Sequence, residues 1–357
     1  MSIDFRKSLV TVVLLGFVAV SSLAPAKCQK PPNPFDVEAR EYLGTPASEL
    51  AVNRALDYLA TKQQPNGHWE SGNYKDDVAI TGFCVLAFLS AGHQPGRGKY
   101  GEILTRSVEY LTDSVRKDGL VSHSNQGGNG PAMYGHAFAT LALAELYGMT
   151  KRPDLRERLE SATQLILQTQ NSFGGWRYQP NATDADISVT AGQVVALRAA
   201  TNAGLKVPDE TVKKALKYIK DCQNNPDGGF SYQTTQHGSG PARTGAAITC
   251  LMLSGERTAK ETLSGIRYLE EHPYSGGSSW MYKQHEFYAY YYCTQAYYQI
   301  GGDRWKRWFV YLRDHLVQEQ TKEGCWEERQ GVGREYATAM SVLVLQVPAG
   351  LLPIYQK

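Results

Sequence analysis

The 357-residue sequence predicts an all-α fold in which six helical hairpins close into a double ring. A glycine-containing turn recurs six times, with about fifty residues between copies, and such a period is typical of repeat architectures. One helical segment with a single apolar face precedes each turn, and a second segment that is apolar on all faces follows it. The sustained two-residue alternation that would predict β-strands is missing from the sequence.

Each turn joins a glycine to a large apolar side chain. The six copies are Gly67-His68-Trp69, Asp118-Gly119-Leu120, Gly174-Gly175-Trp176, Gly228-Gly229-Phe230, Gly276-Gly277 with Trp280, and Gly324-Cys325-Trp326. The helices before the turns carry charged residues around apolar pairs such as Tyr58-Leu59, so one face meets water. The helices after them, such as 81–89 and 137–144, contain no charge and should be buried on all sides. This pattern predicts an amphipathic outer ring around a buried inner ring.

An open superhelical stack is the alternative arrangement of such hairpins. In an open stack the inner helices would need a polar face toward water, and these helices have none. The last copy also lacks the polar character of a terminal capping repeat. Both observations favour closure.

The N-terminus has the pattern of a secretory signal peptide over residues 1–26. Arg6 and Lys7 precede an apolar stretch from Leu9 to Leu23, and Ala24-Pro25-Ala26 supplies a small-residue cleavage site. We expect an exported protein, periplasmic or extracellular, and a retained membrane anchor is the alternative. Residues 27–48 are rich in proline and predict an extended lead-in. Residues 49–357 then form the ring domain.

The charge and the cysteine positions limit which partners and cofactors the sequence supports. A formal net charge of +2 without a Lys/Arg run gives no argument for a nucleic-acid partner. Cys84, Cys250 and Cys293 fall within apolar helical segments, where a thiol behaves as a small core residue. The sequence contains no Cys/His cluster with zinc spacing, so neither a metal nor a cofactor is expected. The oligomeric state is left open.

The turns resemble those of known families. The segments 63–69, 170–176, 223–230 and 320–326, of which the first reads Gln-Gln-Pro-Asn-Gly-His-Trp, resemble the repeat of squalene–hopene and oxidosqualene cyclases. The Asp-Gly-Gly-Phe form at 227–230 is also similar to repeats of protein prenyltransferase β subunits. The resemblance covers roughly residues 50–345. It implies an (α/α)6 toroid whose inner helices line a central cavity.

Polar residues between each turn and the next inner helix should meet at one mouth of that cavity. The candidates for substrate binding there are Asp77, Tyr134, His136, Arg243, His285, Glu286 and Tyr336. Helix capping is the alternative role for such residues, because an aspartate before a helix accepts hydrogen bonds from unpaired backbone N–H groups.

The segment Asp184-Ala185-Asp186 resembles the Asp-x-Asp-Asp motif of class II terpene cyclases, in which the middle aspartate protonates an alkene or epoxide. The resemblance assigns that catalytic role to Asp186 and the accompanying acid to Asp184. Ile187 replaces the last acid of the motif. Helix capping by Asp186 is the alternative.

The fifth inner helix is rich in aromatic residues, and we expect Tyr288 and Tyr291 to line the cavity, where aromatic faces stabilise cations. A zinc-dependent prenyltransferase is not expected. The segment from Glu286 to Ala289 resembles the one that carries that family's histidine ligand, but alanine stands at the ligand position, and no Asp-x-Cys pair occurs in the preceding copy.

Three functions remain open on the sequence. The first is an enzyme that acts on an isoprenoid or other apolar substrate by acid catalysis. The second is a non-catalytic binding protein for a lipid, peptide or glycan. The third is a polysaccharide hydrolase or lyase, for which Asp77, Asp186, Glu286 and Glu335 are candidate carboxylates. The cyclases that the chain resembles have a second helical barrel closing the site, and this sequence has no counterpart for it.

Overall fold

The computed structural model describes residues 43–123, 132–274 and 280–356, with Trp280 described by its backbone alone. The predicted signal peptide, most of the lead-in with Cys28, and the glycines of the fifth turn lie outside this range. The helices are α1 (Pro46–Lys62), α2 (Val78–Ser90), α3 (Gly101–Asp113), α4 (Ala132–Thr150), α5 (Pro153–Gln168), α6 (Ile187–Asn202), α7 (Asp209–Asp221), α8 (Pro241–Leu253), α9 (Lys260–Glu271), α10 (Trp280–Lys283), α11 (Glu286–Ile300), α12 (Gly302–Glu319) and α13 (Arg334–Gln346).

The helices form two concentric rings. The inner helices α2, α4, α6, α8, α11 and α13 each pack against the next in that order, and α13 packs back against α2. The outer ring closes at the same place, because α12 contacts α1. This closure confirms the predicted (α/α)6 toroid and excludes the open stack.

The inner helices run in one direction, because residues early in one helix contact residues early in the next. Gly82 in α2 lies so close to α4 that an added Cβ would be 3.0 Å from the Phe138 carbonyl oxygen. Gln193 in α6 donates its side-chain amide to the Met133 carbonyl at the start of α4, at 2.8 Å. The N-terminal ends of the inner helices therefore face one mouth of the toroid.

The repeated turn ties each hairpin to its neighbour. In the first copy, the Gln63 side-chain amide donates to the carbonyl oxygens of Gly67 within the turn, at 3.1 Å, and of Ile103 in α3, at 2.8 Å. Trp69 donates its indole N–H to the Leu59 carbonyl in α1, at 2.7 Å. The glutamine thus links hairpins, while the tryptophan closes its own hairpin.

Glycine is required where the turn meets the next outer helix. Gly67 has φ of 95°, and a Cβ there would lie 2.3 Å from the Arg106 carbonyl oxygen. In the last copy, Gln320 donates to the Ala51 carbonyl of α1, at 2.8 Å. The same contact that spaces the repeats therefore also closes the outer ring.

Helix α1 begins at Pro46, inside the segment 27–48 that the sequence predicts as an extended lead-in. The Thr45 hydroxyl accepts the Ser48 N–H at 3.2 Å, and Pro46 occupies the first helical position, where its missing N–H has no cost. The helix therefore takes in the last residues of the predicted lead-in.

The C-terminal segment, residues 347–356, lies at the end of the toroid opposite the mouth. Leu351 contacts Gly92, just after α2, and the Ile354 N–H donates to Glu145 Oε1 in α4 at 3.2 Å. Burial raises the pKa of Glu145 to about 8, and the Ile354 N–H opposes this.

The five cysteines in the described ranges are buried and form no disulfide: Cys84, Cys222, Cys250, Cys293 and Cys325. None of the described helices has both the length and the apolar character needed to cross a bilayer.

Candidate functional site

Asp186 is the N-cap of the inner helix α6 and is completely buried. Its Oδ1 accepts the backbone N–H groups of Ser188 and Val189, both at 2.9 Å, and so pairs two donors that a helix start leaves free. Its Oδ2 is buried as well and makes no hydrogen bond of normal geometry. One carboxylate oxygen therefore holds the helix, and the other lies 3.9 Å from Arg177 Nη1.

The surroundings of Asp186 favour its protonated form. Burial is the largest influence and raises the pKa of the carboxyl to about 6. The capping N–H groups, the Tyr232 hydroxyl and Arg177, whose Nη1 lies 3.9 Å from Oδ2, all lower it. Because burial prevails, a protonated fraction persists near neutral pH.

Arg177 links the two acids of the Asp-x-Asp segment. Its Nε lies 3.4 Å from Asp184 Oδ2, and its guanidinium lies over the rings of Tyr178 and Tyr232, at 4.7 and 5.5 Å from their centroids. The Asp184 side chain is 58% exposed, whereas that of Asp186 is 0% exposed. The Arg177 guanidinium thus lies between the two carboxylates, of which Asp184 is exposed to solvent and Asp186 is buried.

Three tyrosines in the first turns of inner helices surround the mouth: Tyr134 in α4, Tyr288 in α11 and Tyr336 in α13. Tyr134 and Tyr288 interact with each other, with the Ser188 hydroxyl and with Asp186. Since α4 and α11 stand opposite each other in the ring, this electrostatic interaction acts across its axis. Each tyrosine is only partly accessible, and burial raises its pKa, as expected for the wall of a recessed cavity.

Further aromatic rings continue this wall. Phe83 in α2 lies 4.3 Å from Phe138 and 5.6 Å from Tyr336, and Tyr288 lies 4.7 Å from Tyr292, between ring centroids. The aromatic cluster thus extends from Tyr288 and Tyr336 to α2 and α4, and π-faces of this kind suit an apolar or cationic group.

Asp77 is the N-cap of α2. Its Oδ1 accepts the N–H groups of Ala79 and Ile80, at 2.7 and 3.2 Å. The preceding Asp76 has φ of 52° and pairs with His123. The structure thus gives Asp77 the capping role that the sequence left as its alternative.

The structure does not bring His136 into the cluster, although the sequence predicts it there. His136 is buried, its Nδ1 accepts the Val121 N–H at 3.1 Å, and burial lowers its pKa to about 4. In the first repeat the Thr81 hydroxyl accepts the Trp69 N–H in the same way, at 3.2 Å. His136 therefore braces a turn.

Three other predicted residues also lie outside the cluster. Tyr291 is buried and interacts with Tyr355 of the C-terminal segment. Glu286 accepts the Tyr290 hydroxyl at 2.6 Å. His285 is exposed and has φ of 60°. The aromatic helix α11 therefore contributes Tyr288 to the mouth.

Arg243, in the first turn of α8, does join the cluster through Tyr232 and Tyr288. The sequence did not single out Arg177, Tyr178 or Tyr232. A positional signal was present, because both tyrosines stand two residues after the aromatic residue of their turn. Among the described residues, no group of three His, Cys, Asp or Glu side chains could hold a metal ion.

The family follows from comparison with known proteins. The prenyltransferase alpha-alpha toroid domain matches residues 35–332, and the chain belongs to that family. No curated protein sequence matches it.

Similar solved structures have different activities. The α-1,6-mannanase of Salegentibacter sp. HEL1_6, as an inactive variant with α-1,6-mannotriose, has a TM-score of 0.64 at 12% identity, over 85% of this chain and 99% of that one. The type II terpene cyclase MstE from Scytonema, in complex with its substrate geranylgeranyl dihydroxybenzoate, has a TM-score of 0.60 at 13% identity, over 86% and 98%. A family 76 mannosidase of Bacteroides thetaiotaomicron has a TM-score of 0.63 at 10% identity, over 85% and 97%. At these identities the likeness establishes the fold alone.

Proposed function

We propose that this protein is an acid-catalysing enzyme of the type II terpene cyclase kind, in which Asp186 protonates an alkene of an isoprenoid substrate. One observation carries the proposal. Asp186 Oδ2 is buried and makes no hydrogen bond of normal geometry, and it belongs to a carboxyl that interacts with Tyr134 and Tyr288 and whose pKa burial raises to about 6. An ordinary surface aspartic acid is almost fully ionised at neutral pH and has no such proton to give.

The reaction assigns one task to each neighbour. The proton leaves Asp186 Oδ2 for an alkene carbon, whose π-electrons form the new C–H bond and leave a carbocation. Arg177 and Tyr232 stabilise the aspartate that results, because both favour its charged form. The rings of Tyr134 and Tyr288 face the cation. A second alkene of the substrate then attacks the cation, and its π-electrons form the new C–C bond that closes a ring. Loss of a proton from the cyclic cation to water gives a neutral product.

The size of the toroid agrees with this activity. The structural match to the type II cyclase MstE includes 98% of that chain and 86% of this one. A single toroid of this size therefore accommodates such chemistry in that protein, and a second barrel is not required for it. On the pattern of residues 1–26 we also place the enzyme outside the cytoplasm.

Polysaccharide hydrolysis is the second candidate, and the mannanase neighbours favour it. The geometry supports it less well. Glu286 and Glu335 accept hydroxyl groups of Tyr290 and Tyr58, and Asp77 caps α2. Asp184 and Asp186, on either side of Arg177, are the remaining acid pair at the mouth.

Deuterium labelling tests the proposal. The purified protein is incubated in D₂O with geranylgeranyl dihydroxybenzoate or squalene, and in a parallel arm with α-1,6-mannotriose. We expect a cyclised product with deuterium at a non-exchangeable carbon, formed by the wild type and not by Asp186→Asn. Hydrolysis of the mannotriose with no labelled terpenoid would favour the second candidate. Unaltered ligand in every arm would refute both.

A further inference from the structure

Among the residues that the structure describes, no carboxylate forms an ion pair with Arg243, in contrast to Arg177. Its Nη2 donates to the Gly238 carbonyl at 3.1 Å, and its Nε is buried without a hydrogen-bond partner. Burial lowers the pKa of Arg243. The groups that oppose this shift are Tyr232, Tyr268 and Tyr288, and none of them is a carboxylate. The internal segments outside the described residues, 124–131 and 275–279, contain no aspartate or glutamate.

Two tyrosine hydroxyl groups interact with this guanidinium. The hydroxyl groups of Tyr268, whose side chain is fully buried, and of Tyr288 make no hydrogen bond of normal geometry, and both interact electrostatically with Arg243. Leaving buried polar groups unpaired costs free energy. Water would satisfy the hydrogen bonds but would not neutralise the charge.

The start of α8 adds to the positive potential. Its N-cap is Gly240, which supplies no side-chain acceptor, whereas Asp77 and Asp186 cap α2 and α6. The N-terminal end of a helix favours anions. Arg243 is thus an unneutralised cation at an uncapped helix start.

We propose that Arg243, Tyr268 and Tyr288 form a subsite for an oxyanion, carboxylate or phosphate, carried by the substrate. This rests on the proposed function and sharpens it, because Tyr288 and Tyr232 connect Arg243 to Asp186. The substrate then has an apolar, alkene-bearing part beside Asp186 and an anionic group on the neighbouring inner helix α8.

Binding measurements test the subsite without turnover. Affinities are measured by calorimetry for geranylgeranyl dihydroxybenzoate, geranylgeranyl phosphate and neutral geranylgeraniol. The proteins are the wild type, Arg243→Gln, Arg243→Lys and Tyr268→Phe, with Arg304→Gln on the outer ring as control. We expect the wild type to prefer an anionic ligand over the alcohol by at least about tenfold. The preferred anion identifies the source of the oxyanion.

Arg243→Gln should abolish that preference without weakening alcohol binding, Arg243→Lys should retain part of it, and Tyr268→Phe should reduce it. Arg304→Gln should leave it intact. An equal preference in the wild type and Arg243→Gln, or no binding of any of the three ligands, would overturn the subsite. Loss of deuterium labelling with the Arg243-dependent preference preserved would overturn the acid mechanism alone.

Discussion

The starts of α2 and α6 have the same local structure in different surroundings. At each, an aspartate in extended conformation caps the helix through one oxygen, Asp77 with bonds of 2.7 and 3.2 Å and Asp186 with two of 2.9 Å. Asp77 remains partly exposed, whereas Asp186 is fully buried beside Arg177 and the tyrosine cluster. The capping bonds are thus common to both, and the second oxygen distinguishes them.

The two aspartates show that capping a helix and donating a proton require different properties of the same side chain. A cap needs one acceptor oxygen, which asparagine supplies nearly as well as aspartate. A proton donor needs a second oxygen that is buried and a pKa that is raised. Substituting asparagine at both positions therefore removes the acid and keeps the cap, and the two aspartates serve as matched controls.

The largest effect should be on turnover. Asp186→Asn should lower the rate of deuterium-labelled product formation by about 10²–10⁴-fold, because general-acid catalysis contributes a factor of that size. Asp77→Asn should react at the wild-type rate. Equal losses in the two variants would remove the distinction between the two helix starts.

The next effect is on stability. Since the folded state raises the pKa of Asp186 from 3.8 to about 6, the stabilisation from this group is complete below about pH 4 and is lost as the pH rises through about 6. Asp186→Asn does not ionise. Its free energy of unfolding relative to wild type should therefore increase by about 2 kcal/mol between pH 4 and pH 7. Urea unfolding over that range measures this change in the free energy of unfolding. Asp77→Asn is the control and should follow the wild type more closely. A difference between Asp186→Asn and wild type that does not vary with pH would contradict the raised pKa.

A third effect is on the pH profile. Because the protonated acid is the active form, kcat/KM should fall about tenfold for each pH unit above the pKa of Asp186. Arg177→Gln removes a cation that lowers this pKa, so the fall should begin at higher pH. Steady-state rates from pH 5 to 9 test this, and a shift to lower pH would count against the assigned role of Arg177.

The smallest effect should be at the cap of α2. Asp77→Ala should lower the free energy of unfolding by about 1 kcal/mol, whereas Asp77→Asn should change it by a few tenths. Thermal or urea unfolding compares the two. A loss of several kcal/mol in both would mean that Asp77 has a role besides capping.

The fold was readable from the sequence because its determinants are local and repeated. Gln63, Gly67 and Trp69 lie within one turn, and each makes the contact that its counterpart makes in other copies. The uncharged inner helices likewise predicted burial on all sides, and closure followed from it. By contrast, Thr45 and Pro46 read as part of a proline-rich stretch, and only the structure shows that they begin α1.

The site was readable only in part. A motif and an aromatic pattern predicted Asp186 and Tyr288, which interact in the structure, whereas His136 looked equally polar and instead accepts a backbone N–H. Arg177 was missed because its importance arises from two aspartates and two rings that the fold assembles around it. Helical periodicity indicates that a residue lies on an inner helix but not which of its neighbours it faces.

The central claim is that Asp186 has a raised pKa and so keeps a protonated fraction near neutral pH, and the infrared absorption of its carboxyl group tests this directly. The difference spectrum between wild type and Asp186→Asn, recorded from pH 3 to 9, isolates the carboxylic acid band of this residue. We predict that the band is lost with a midpoint near pH 6. A midpoint near pH 4 or below, the ordinary range of an aspartate, would contradict the account.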